Sequence, residues 1–325
     1  MQSETKNQQR RRLLQAGGGL LLSGTLLELA GCSKSGLEAT ATTGGSEASA
    51  ATTSRWASGG TALIGDPARF PAVFDAAGID GACMLTCMTT IGPCHTLSPE
   101  RSDISDGWQG LPMRLLLRVV DADCKPVPGA LVEIWHTNHT GGYSGRIVSM
   151  CNNDQDDLDK QFFRGYQRCD ENGIVAFDTC YPGWYRSRAV HIHLRVMTGA
   201  YDADDRATTS VTTQLMFTDA LNREIFGAHP LYKEYGEPDT LLDGDNVIGG
   251  ETDKSRYLFD VQRLDDGVML ASKTLVIRSS LDAPVCEAKG NRNGPGGGPP
   301  PGPAPSGSPP GRPPGDHGDR PAPQA

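Results

Sequence analysis

Val190-His191-Ile192-His193-Leu194-Arg195-Val196 alternates apolar and polar side chains with a period of two, which is the pattern of a strand. Val190, Ile192, Leu194 and Val196 fall on one face, and His191, His193 and Arg195 on the other. An apolar strand face needs a second layer to cover it, and similar β-rich runs occur at 113–120, 130–136, 174–178, 211–217, 256–264 and 273–278. Gly, Pro, Asp and Asn bound these runs. With the histidine run at 190–197 they make about seven or more short strands, which predicts an all-β fold, a β-sandwich with a few short connecting helices. The helical candidates, 68–77, 154–163 and 219–226, are each short enough to be connectors. No internal repeat is visible.

Outside this region the composition changes. Arg10, Arg11 and Arg12 precede Leu13-Leu14, a Gly-rich apolar stretch follows, and the stretch ends at Leu29-Ala30-Gly31-Cys32. A charged start, a short greasy centre and a small-residue cleavage site make residues 1–32 resemble a twin-arginine lipoprotein signal, with Cys32 acylated and the mature protein exported and membrane-anchored. From Ser33 to Gly60, 22 of 28 residues are Gly, Ala, Ser or Thr, too little apolar surface to offset ordering entropy, so 33–60 is expected to be a flexible linker. Residues 288–325 are Pro/Gly-rich without a collagen period and are expected to form a disordered tail, which excludes Asp316 and His317 as ligands. Residues 61–287 are left as one domain.

The net charge of −9, with no dense basic run after residue 12, argues against nucleic acid as a partner and leaves a small neutral or aromatic substrate open. Of nine cysteines, eight remain if Cys32 carries lipid: Cys83, Cys87, Cys94, Cys124, Cys151, Cys169, Cys180 and Cys286. In an oxidising compartment this even number predicts up to four disulfides, with the pairing left open. Zinc or iron–sulfur binding is disfavoured because the spacings lack paired CxxC knuckles.

The candidate chemistry lies between Glu133 and Val196. A His-x-His pair on a strand is a common metal-binding arrangement, although alone it names no metal and paired surface histidines are the alternative. Two tyrosine segments flank it: Gly142-Tyr143-Ser144 after Gly129-Ala130-Leu131-Val132-Glu133-Ile134-Trp135, and Tyr181-Pro182-Gly183-Trp184-Tyr185 before Arg188-Ala189-Val190-His191-Ile192-His193. In this ordered combination the chain resembles the intradiol ring-cleavage dioxygenases, the family of catechol and protocatechuate dioxygenases. Leu85-Thr86, Gly92-Pro93 and Arg101-Ser102-Asp103-Ile104 look like that family's opening segment, so the resemblance spans about residues 83–217.

The resemblance implies a mononuclear Fe(III) ion held by Tyr143, Tyr185, His191 and His193. It implies cleavage of a catechol-type aromatic diol between its hydroxyl-bearing carbons with O2, giving a muconate-type diacid. It also implies that Arg188 faces the bound ring, where a fixed cation stabilises developing negative charge. Phenolate ligands suit a ferric ion, because a phenol with pKa about 10 ionises at neutral pH only beside a strong Lewis acid. A non-catalytic surface lipoprotein that binds catechols or iron chelates is the second expectation, and an oligomer is open. Tyr181 competes with Tyr185 as ligand, but the Pro-x-x-Tyr pattern selects Tyr185. His136 and His139 are expected in a polar loop, Trp135 and Trp184 as packing residues with locally satisfied N–H groups, and Arg186 and Arg195 as solvated or salt-bridged. Cys94 stands where the family often has a tyrosine after Gly-Pro.

Overall fold

The computed structural model describes residues 55–74, 83–148, 151–152, 154–201 and 204–290. The expected signal, Cys32, most of the linker and nearly all of the tail lie outside the described residues. Eight strands follow in order: β1 (Pro112–Val120), β2 (Leu131–Trp135), β3 (Arg164–Arg168), β4 (Ile174–Cys180), β5 (His191–Thr198), β6 (Thr208–Met216), β7 (Asp260–Arg263) and β8 (Met269–Val276). They form two four-stranded sheets, β4-β1-β8-β7 and β3-β2-β5-β6. β1 and β8 are parallel and every other pair is antiparallel.

Period-two patterning builds the core. Met113, Leu115, Leu117 and Val119 of β1 face Val132 and Ile134 of β2 and Ile192, Leu194 and Val196 of β5 in a single cluster. Burial of each such side chain contributes roughly 1.5–3 kcal/mol. β3 was not anticipated, because Arg164-Gly165-Tyr166-Gln167-Arg168 is polar and lacks an apolar face. Arg164 is nonetheless fully buried, with its guanidinium donating to the carbonyls of Thr96, Cys94 and Ser144.

The expected helix at 219–226 is present as α1 (Asp219–Ala228), capped by the Thr218 hydroxyl accepting from Leu221 N. Among the described residues the other two candidates form no α-helix. A short 3-10 turn, Pro67–Arg69, stands at the first and another, Gln155–Asp157, at the second, because each has an Asp cap but no apolar stripe to continue a helix. In the strand expected at 256–264 only Asp260–Arg263 forms a strand, after a 3-10 turn at Ser255–Tyr257 and an isolated bridge between Leu258 and Met216. Segments at both ends of the domain dock on it. Trp56 packs against the core, Ala57 N donates to Gly267 O, and Ala288 N donates to Met88 O. The docked segment therefore includes residues 55–60 and 288–290.

Three disulfides form where up to four were expected: Cys83–Cys124, Cys87–Cys286 and Cys94–Cys151. Cys169 and Cys180 are free and buried. Cys169 packs within the main cluster and Cys180 beside Trp108, Phe162 and Phe163, so the two thiols sit in different parts of the core. His136 is also buried, contrary to the polar-loop expectation, and bridges the sheets: its Nδ1 donates to Thr137 O at 2.8 Å and its Nε2 accepts from the Thr179 hydroxyl at 2.8 Å. Both ring nitrogens are satisfied by a neutral imidazole, and burial pushes its pKa down to about 4.

Two predictions follow from this core. Alkylation of the folded protein should leave Cys169 and Cys180 unmodified, since burial raises both thiol pKa values, that of Cys169 to about 12. Denaturation without reductant should expose those two thiols, and reduction should add six more; mass spectrometry reads the count. The depressed His136 pKa makes the unfolded chain bind the extra proton between pH 6.5 and about 4, so its contribution is fully present above 6.5 and is lost as pH falls. Urea midpoints measured with chelator from pH 7 to 5 should decline, and His136→Gln should reduce the slope by about 1.4 kcal/mol per pH unit.

Candidate metal and substrate site

β5 sets the site because its apolar face is committed to the core. With Ile192, Leu194 and Val196 turned inward, His191, His193 and Arg195 must project from the opposite face, yet these three are buried too. Loops before β1 and between β2 and β3 roof that face. Register places Trp135 of β2 opposite His193 and Gln214 of β6 on its other side, while Glu133 lies opposite Arg195. The Trp135 ring stacks on His193 with centroids 4.9 Å apart and planes 11° from parallel.

The two histidines present Nε2 to one point. His191 Nδ1 donates to Ala189 O at 2.6 Å, which leaves Nε2 with a lone pair, and the His191 and His193 Nε2 atoms are 3.1 Å apart. Burial and the nearby Arg188 push the His191 pKa down to about 3, and burial with His191 lowers that of His193 as well. Both imidazoles are neutral, as metal ligation requires.

The tyrosines arrive on two loops that are fastened to each other. Gly183 N donates to Asn138 O, and the Thr137 hydroxyl donates to Gly183 O at 2.7 Å. A Cβ at Gly183 would lie 2.4 Å from Asn138 O and 2.6 Å from His139 O, so only glycine permits this approach. The Tyr143 hydroxyl consequently sits 3.4 Å and the Tyr185 hydroxyl 3.2 Å from His191 Nε2. Tyr143 is fully buried, and burial together with Tyr185 raises its pKa well above 10. Two phenol oxygens and His193 Nε2 thus converge on His191 Nε2. The donor set fits a hard, highly charged cation, which would supply the positive potential that a buried phenolate needs.

Arg188 borders the same point. Its Nη1 lies 3.5 Å from the Tyr185 hydroxyl, Nη2 donates to Gln214 Oε1, and Nε donates to Asp245 Oδ2 at 2.9 Å. All five residues singled out from the sequence, Tyr143, Tyr185, His191, His193 and Arg188, therefore lie together. Tyr181 does not join them, being in the core with its hydroxyl donating to Asn222. The buried His139 bonds Gln109 O at 3.1 Å. Trp184 finds a partner in Gly236 O, but Trp135 Nε1 is buried without one, against expectation. Arg195 is salt-bridged, to Glu133 and, through both Nη atoms, to Asp205; Arg186 is exposed, 3.9 Å from Asp239. Cys94, bridged to Cys151, packs with Trp135 and Tyr143 in the roof, and Tyr143 N donates to Cys151 O.

Gln214 and Asp245 were missed. Gln214 carries a weak sequence signal, since period-two reading of 211–217 puts it beside the histidine face. Asp245 carries none, because it comes from a loop 57 positions beyond Arg188.

Residues 96–221 match the family model described as Dioxygenase. No curated protein matches the chain. Among solved structures, the intradiol ring-cleavage dioxygenase from Tetranychus urticae is similar at 26% identity and a TM-score of 0.51, over 60% of this chain and 95% of that one. A second crystallised dioxygenase has 24% identity, a TM-score of 0.51 and the same coverage of 60% and 95%. A dioxygenase domain from Streptomyces sp. SirexAA-E has 22% identity and a TM-score of 0.41, over 61% of this chain and 100% of that one. Residues 96–221 thus match the dioxygenase family in sequence, within a sandwich similar to that of an intradiol ring-cleavage dioxygenase.

Proposed function

We propose that the domain is an Fe(III) intradiol dioxygenase acting on a catechol-type diol with O2, in an exported protein anchored through Cys32. The observation that carries this reading is the approach of the Tyr143 and Tyr185 hydroxyls and His193 Nε2 to within 3.4, 3.2 and 3.1 Å of His191 Nε2. Held by these four side chains, ferric iron would supply the Lewis acidity that ionises phenols and the electron exchange with O2 that ring cleavage requires. The chain's own residues supply the rest. Ala189 O fixes the His191 tautomer, so that Nε2 remains an electron-pair donor. Trp135 and the Cys94–Cys151 bridge keep water from the buried side of the site. Arg188 Nη1, beside the half-buried Tyr185, gives a fixed positive charge where an anionic diol oxygen would sit. Three disulfides fit an oxidising compartment outside the cytoplasm.

Iron content, visible spectrum and O2 uptake with catechol, protocatechuate and hydroxyquinol test the proposal together. The wild type should be coloured by tyrosinate-to-iron charge transfer, shift on adding catechol, and consume O2. His191→Ala should lose iron and colour. Tyr185→Phe should keep part of the iron with a shifted band, and Arg188→Ala should keep both while turnover falls about 10² to 10³-fold. A wild type that holds iron, shifts colour and consumes no O2 would establish the binding-protein reading instead. For the anchor, Cys32→Ala should move the protein from the membrane to the soluble fraction, and unchanged fractionation would refute lipidation.

A further inference from the structure

Arg188 is held by a carboxylate from a distant part of the chain. Asp245 follows the 3-10 turn Leu242–Gly244, and its side chain is fully buried. Oδ1 accepts from Val247 N at 2.8 Å and Ile248 N at 3.1 Å, while Oδ2 accepts from Ala189 N at 2.8 Å and Arg188 Nε at 2.9 Å. Three backbone N–H groups and a guanidinium therefore fix one carboxylate in place and orientation. Burial would raise its pKa, but Arg188 and the other donors hold it below the usual carboxylate range, so it stays ionised.

The geometry has a directional consequence. With Nε taken by Asp245 and Nη2 by Gln214, which is itself tied through Nε2 to Thr90 O at 2.7 Å, the guanidinium plane has one way to lie, and Nη1 is the corner left towards the Tyr185 hydroxyl. Ser187, just before Arg188, adopts a left-handed φ of 67°, a strained conformation that the contacts on either side must enforce. The same carboxylate grips Ala189 N, while Ala189 O orients His191.

We propose that Asp245 is the positioning residue of the site, acting through Arg188 to aim Nη1 at the place of the diol oxygen. The proposal rests on the functional reading above. Asp245→Asn is the probing change, because an amide cannot accept at both ends: its NH2 must face either the Val247 and Ile248 N–H groups or Ala189 N and Arg188 Nε. In the full mature protein this variant should keep its iron and its ability to shift colour with catechol, while kcat falls by about 10²-fold, the scale for misplacing a reacting or binding group by about 1 Å. In an Arg188→Ala background the same substitution should cost less than about twofold further, since the residue through which it acts is gone. A second readout needs neither iron nor turnover. The Arg188 Nε–H resonance of 15N-labelled metal-free protein, assigned by its loss in Arg188→Ala, should exchange slowly in the wild type and rapidly in Asp245→Asn.

A kcat loss of the same factor in both backgrounds, or a slowly exchanging Nε–H in both proteins, would overturn the proposal and leave Asp245 as an anchor of its own loop. A wild type that binds no iron and takes up no O2 would refute the functional reading instead, and the Nε–H exchange would still decide whether Asp245 fixes Arg188.

Discussion

The alternation of β5 is the constraint on which the rest of the molecule depends. Ile192, Leu194 and Val196 are fully buried between the sheets, and slipping the strand by one residue would drive His191, His193 and Arg195 into that apolar layer. The hydrophobic effect therefore fixes the positions of the histidines, although it acts on their neighbours. The register with β2 and β6 then determines what stands beside each histidine: Trp135 and Gln214 flank His193, and Glu133 lies opposite Arg195.

A sheet face that carries polar groups and is then roofed needs those groups paired. Glu133, fully buried, accepts from Ser98 and Tyr201 at 2.6 Å each, from Arg195 at 3.0 Å and is bonded by His95, and the sum of these donors keeps its pKa low despite burial. Asp245 does the same for Arg188. Breaking such a pair by removing one partner typically costs 3–5 kcal/mol, so the charged clusters on either side of the histidines act as rigid mounts. Between them, His193 Nδ1 and Trp135 Nε1 are buried polar atoms without a partner.

The fold was largely legible because most strands carry an apolar face that repeats every two residues. β3 was not, since its burial comes from the roof and from Arg164 reaching backbone carbonyls, neither of which leaves a periodic trace. The five site residues were legible because they lie in two short motifs before and within β5 and one after β2. His136 and His139 were misread since polar neighbours imply solvent in a local reading, whereas here the tyrosine loops fold over them. Gln214 and Asp245 belong to the site through sheet register and loop return, which are properties of the whole chain. The pairing of six cysteines likewise depends on distances that spacing alone does not encode.

β1 lies in the middle of its sheet, and one of its two neighbours is β8, the last strand of the domain. Cys87 and Cys286 bond across a separation of 199 residues. During synthesis, β1 thus emerges with an apolar face and an open edge and waits until Val276 is out before it can be closed. Long-range closure of this kind slows folding and exposes pairing-competent edges for the duration. A nascent chain stopped between β7 and β8 has seven strands, all five of the proposed site residues and the whole β3-β2-β5-β6 sheet. The layer that should cover the apolar face of β5 is still split between β4-β1 and an unpaired β7, so the site residues are present before the core that fixes them is closed.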